Sequence, residues 1–130
     1  MRLALAAILF LPMAGLAAAD ETVKNETLRA GNFAVTIHLH SFLTSEERDA
    51  LRQIGSSEDA MLTFIGGSDG HAAIAAAPGK GFFRDGMPVP SAVAMSQLPD
   101  AASARRTAIE ACKNAAGENC VVLLEAAPGR

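Results

Sequence analysis

In Phe33-Ala34-Val35-Thr36-Ile37-His38-Leu39-His40 the large apolar residues Phe33, Val35, Ile37 and Leu39 alternate with Ala34, Thr36, His38 and His40. Successive side chains of a strand point to opposite faces, so this period of two predicts a half-buried β-strand with its odd positions in a core. Such a strand has to be covered, and the next segment offers the cover. Thr44 begins a capping box with Glu47, Ala50, Leu51 and Ile54 form a short apolar stripe, and Gly55 reads as the stop. The pattern predicts a helix of about ten residues.

Working toward the C-terminus, residues 60–65 (Ala-Met-Leu-Thr-Phe-Ile) and 71–77 (His-Ala-Ala-Ile-Ala-Ala-Ala) read as strands flanking Gly66-Gly67-Ser68-Asp69-Gly70, whose Asp-Gly pair suits a hairpin turn. Residues 78–90 read as a loop with room for a short extended piece, and residues 91–97 as a further, optional strand. Asp100 then caps the strongest helix signal in the chain. Ala101, Ala104, Ala108, Cys112 and Ala115 share one face, Arg106, Glu110 and Lys113 the solvated one, and Gly117 ends it. Cys120-Val121-Val122-Leu123-Leu124 is a fully apolar strand. The order predicts an α+β domain over residues 33–128: an antiparallel sheet of four to five strands, two helices on one face, and a split βαβ-like order.

Toward the N-terminus, residues 20–32 are polar and aperiodic and read as a flexible lead-in. Residues 1–19 have the form of a secretory signal peptide: Arg2, an apolar run from Leu3 to Leu11, and Ala17-Ala18-Ala19 ahead of the first acid, Asp20. Pro12 and Gly15 break the run short of the roughly 20 apolar residues of a membrane span. The expectation is a periplasmic or secreted protein with no stable membrane insertion after cleavage. Cleavage before Asp20 leaves 111 residues with 14 acidic and 10 basic side chains, a net charge of −4. That balance argues against nucleic acid as a partner.

In an oxidising compartment the isolated pair Cys112 and Cys120 reads as a disulfide between the last helix and the strand after it. Their spacing is not that of a redox-active C-x-x-C. His38-Leu39-His40 would project two imidazoles to one side of a strand, with His71 as a third candidate ligand for Zn or Cu. The alternative is that the pair lines an exposed strand face and His71 is a turn residue. Gly66 to Gly70 matches the G-x-S-x-G of a hydrolase elbow, with Ser68 as nucleophile. The helix that should follow is replaced by a predicted strand, and Asp69 and His71 are too close in sequence to fold back on Ser68. Phe82, Phe83 and Arg84 place two adjacent aromatic rings in a loop, a candidate contact surface.

His71 to Pro78, the segment from Ala104 to Cys112, and Cys120-Val-Val-Leu-Leu-Glu-Ala-Ala-Pro128 together resemble the C-terminal module of small exported bacterial proteins of unknown function. The resemblance covers about half of the chain after the leader, and implies a hairpin, an Ala-rich helix ending in Cys, a Gly turn and a second Cys. Similar sequences sometimes carry the name 5-aminolevulinate synthase. That reaction needs a Schiff-base lysine in a large pyridoxal phosphate fold, whereas Lys24, Lys80 and Lys113 fall in a tail, a turn and an exposed helix face. The function expected is a non-catalytic, disulfide-stapled accessory or binding domain, without cofactor, whose partner is an unidentified protein or envelope component. A metal-binding protein and, more remotely, a serine hydrolase are the alternatives.

Overall fold

The period-two segment forms strand β2 (Phe33–Leu39), with Phe33, Val35, Ile37 and Leu39 buried and the intervening residues half-buried. The computed structural model describes residues 23–65 and 70–128. The leader and Gly66-Gly67-Ser68-Asp69, Ser68 of the elbow motif included, lie outside the described residues.

Upstream of β2, residues expected to be a flexible lead-in form strand β1 (Lys24–Ala30), paired antiparallel with β2 along its length. The link is a two-residue turn, Gly31-Asn32, in which Gly31 takes φ +59°, the left-handed first position of a type II′ turn. β1 is a sheet edge. β2 pairs with one side of its backbone, and charged side chains suit the open side because they discourage further pairing. A strand built that way has no apolar alternation to detect.

Helix α1 (Ser45–Ser56) starts where expected, with both halves of the Thr44–Glu47 capping box formed. Gly55 does not stop it. A Cβ at Gly55 would lie 3.0 Å from Leu28 Cδ1 and 3.2 Å from Val35 Cγ1, so this glycine is where the helix presses onto the sheet. Helix α2 (Glu58–Ile65) replaces the strand expected over residues 60–65. Ser57 Oγ accepts from the Ala60 N–H at 3.2 Å, and Glu58 and Asp59 sit in the first turn. Hydroxyl cap and early acids both favour a helix start, and they lie upstream of the apolar run that suggested a strand.

Strand β3 (His71–Ala76) therefore has no hairpin with residues 60–65; it pairs with β6 (Val93–Leu98) and β7 (Val121–Pro128). The chain does contain an Asp-Gly hairpin, but at Asp85-Gly86, with φ of +56° and +76°, joining β4 (Phe83–Arg84) to β5 (Met87–Pro88). Helix α3 (Ala101–Ala116) is bounded as the sequence indicated: Asp100 accepts from the Ser103 N–H at 2.7 Å, and Gly117 closes the helix at φ +73°.

The main sheet runs β1-β2-β7-β3-β6, antiparallel at every pairing. Two split connections interleave: β2 to β3 passes over β7, and β6 to β7 passes over β3. The helices do not share a face, contrary to expectation. Ala72, Ile74 and Ala76 of β3 join β2, α1 and α2 in one core. Ala73, Ala75 and Ala77 join Ala104, Ala108 and Cys112 of α3 in another. A central strand that is apolar on both sides has to be covered on both, and the alanines of β3 and α3 permit a close layer there. Ala115, expected on the inner stripe, is exposed, and Ala116 packs inward instead. Cys112 and Cys120 are joined, with Cα atoms 6.1 Å apart, tying the end of α3 to the start of β7.

Candidate functional site

α3 lies against β3, β6 and β7. On β1 and β2 the same face of the sheet carries Asn25, Thr27 and Arg29 opposite His38, Thr36 and Ala34. His38 is fixed in the middle of this polar half. Its Nε2–H donates to Glu125 Oε2 at 2.8 Å, and its Nδ1 lies 2.7 Å from Asn25 Oδ1. Glu125 Oε1 accepts from Arg105 at 2.8 Å. One chain of bonds thus ties β1, β2, β7 and α3 together. Burial works against the charge of Glu125, but the bonds from Arg105 and His38 outweigh it and hold the carboxyl below the usual range. Beside it is a hollow of about 170 Å³ lined by Ala34, Thr36, His71, Ala101 and Glu125, among others.

Of the three sequence-predicted ligands, His38 and His40 lie near each other, ring centroids 6.5 Å apart, but each ring is turned to partners of its own. His38 spends both ring nitrogens on Asn25 and Glu125. His40 donates Nε2–H to the Val122 carbonyl at 2.9 Å and stacks on Phe42, ring centroids 5.6 Å apart. His71 lines the hollow next to Glu125. Among the described residues, no three of His, Cys, Asp and Glu are grouped so as to hold a metal ion. The His-x-His spacing is present, but each imidazole is used as a structural tie.

The expected contact loop is also bound inward. Phe82 is 1% exposed, and Phe83 is half-buried and packs against the same core. The cause is Glu47, fully buried. Its Oε1 accepts from the Thr44 N–H at 2.9 Å. Its Oε2 accepts from the N–H groups of Phe82 at 2.7 Å and Phe83 at 2.9 Å, and from Arg84 Nε at 3.1 Å. Desolvation alone would raise its pKa, but the bonds from Phe83, Thr44, Phe82 and Arg84 prevail and lower it to about 2. The exposed apolar side chain of this hairpin is Met87, at 65%.

Glu125 stands alone as a charge in the apolar run Val121-Val-Leu-Leu-Glu-Ala-Ala-Pro128, which is the one sequence signal that marked it. Asn25 and Arg105 carried none, since their roles depend on which strands neighbour β2 and where α3 lies. Compared with family models, with curated proteins and with solved structures, the chain matches none.

Proposed function

We propose that this chain is an exported, disulfide-stapled, non-catalytic domain of the periplasm or the extracellular space, and that it binds an envelope protein through the half of its sheet that α3 does not cover. The observation that carries the reading is that polar surface on β1 and β2, with Asn25, Thr27, Thr36 and His38 on adjacent strands. Its bonds to Glu125 and Arg105 hold the surface in place before any partner arrives, and preorganisation of that kind lowers the entropic cost of association. The Cys112–Cys120 bond fits an oxidising compartment. No helix among the described residues is long and apolar enough to cross a membrane. The leader-like residues 1–19 and the resemblance to small exported bacterial proteins point the same way.

A photo-crosslinking residue placed at Thr36 or Thr27, in chain expressed with its leader, tests the reading. The expected outcome is one discrete adduct with an envelope protein from both positions and none from Glu110 on the solvated side of α3, with Thr36→Arg suppressing the adduct formed from Thr27. Equal labelling from Glu110 would sink the proposal, as would recovery of the chain in the cytosol with both thiols reduced.

A further inference from the structure

At the end of the sheet where α1 crosses β1 and β2 there is a cavity of about 390 Å³, larger than the hollow beside Glu125. It lies over the helix-covered face of β1 and β2, not over the polar face proposed above for a protein partner. Its lining is Lys24, Leu39, Ser41, Arg48 and Arg52: three cations, one hydroxyl and one aliphatic side chain. In a chain of net charge −3, this is a local inversion of sign.

Each cation is placed by the fold. Lys24 stands opposite Leu39 in the β1–β2 register. Arg48 and Arg52 are four residues apart on α1, hence on one side of the helix. A like-charge pair at that spacing weakens a helix; Asp49 and Glu26 offset it at Arg52, but local stability does not account for Arg48. Arg52 is held by Glu26, to which Nε and one terminal nitrogen donate at 3.0 and 2.9 Å. Its other terminal nitrogen lies 3.6 Å from Asp49 Oδ1, so two carboxylates already balance this guanidinium, and Lys24 and Arg48 are the cations left to meet a ligand. Lys24 and Arg48 form no ion pair among the described residues.

We propose that this cavity binds a small organic anion, with a phosphate or carboxylate group held by Lys24, Arg48 and the Ser41 hydroxyl, and an apolar portion resting on Leu39. Arg52, pinned by Glu26 and Asp49, forms a fixed polar wall beside them. A fork of donors on a planar guanidinium matches either oxyanion. The volume falls at the small end of the range for small-molecule sites. A bare polyanion is a poorer fit, because the cationic lining is confined to one concavity on an acidic molecule.

The test follows amide shifts of the full chain, at constant ionic strength, as inorganic phosphate and, separately, hexanoate replace chloride. Saturable shifts at residues 24, 39–41, 48 and 52 are expected for at least one probe. Saturation by phosphate alone assigns the site to phosphorylated ligands, and by hexanoate alone or more tightly to carboxylates with an apolar tail. Arg48→Gln and Lys24→Gln should each weaken binding at least tenfold, while Arg106→Gln, the same charge change on α3, leaves it unchanged. The two variants at the cavity keep the melting temperature of the parent. Shifts spread evenly over Arg29, Arg105 and Arg106, or affinity indifferent to both cavity substitutions, would overturn the proposal.

Discussion

Glu47 shows how much one carboxylate can organise. It completes the cap of α1 and, from a fully buried position, receives the backbone N–H groups of Phe82 and Phe83 and the guanidinium of Arg84. The capping role was legible from Thr44 and Glu47 three residues apart; the second was not, because the loop it holds begins 35 residues further along. Its pKa falls from 4.5 in the reference state to about 2 in the fold. A carboxyl with a depressed folded pKa contributes stability that is fully present above the unfolded value and lost as pH drops through the folded one. The window is therefore about pH 5 down to 2, and the shift corresponds to roughly 3 kcal/mol. Urea unfolding across that window should show the loss. Glu47→Gln should cost about 2 to 4 kcal/mol at pH 7, by leaving buried N–H groups poorly matched, and should flatten the pH dependence. A variant that keeps the parental slope would mean that another group titrates.

At the scale of elements, β1 and α2 were misread for related reasons. β1 turns few apolar side chains inward because an edge strand is held by its backbone ladder and by contacts such as Arg52 to Glu26, neither of which leaves a periodic trace. α2 is short, and its Thr, Phe and Ile suit a strand by composition; the decisive signals, Ser57 and the acids after it, precede the apolar residues. The assignment of β1 has a direct consequence in hydrogen exchange. Alternate amides of residues 24–30, those donating to β2, should exchange far more slowly than their neighbours, which face solvent along the edge. Exchange of all of them at unstructured rates would restore the flexible lead-in. Both ends of α3, by contrast, were legible, and its alanine stripe as far as Cys112, since Asp100, Gly117 and the stripe are local signals.

For the whole molecule the deciding feature is a sheet packed on one face by α1 and α2 and, over β3, β6 and β7, on the other by α3, with the alanines of β3 between. Ala75 is fully buried in the layer shared with α3. Ala75→Leu should therefore force the helix outward and cost about 1 to 3 kcal/mol or more. Ala34→Leu, on the same face but over the uncovered half of the sheet, should change stability by no more than about 0.5 kcal/mol. Chemical denaturation of the two variants decides it; equal costs would mean that α3 does not divide the face as described. By itself the sequence determined the period-two strand, the caps of α1 and α3, the pairing of Cys112 with Cys120 and the mixed α+β character, because each rests on residues near one another along the chain. Only the tertiary structure decided that residues 24–30 join the sheet, that the helices take opposite faces, that His38 and His40 are spent on internal bonds, and that three cations meet around one cavity. Those outcomes depend on which strands become neighbours, and strand order follows from burying both faces of β3 together, a requirement that no local stretch expresses.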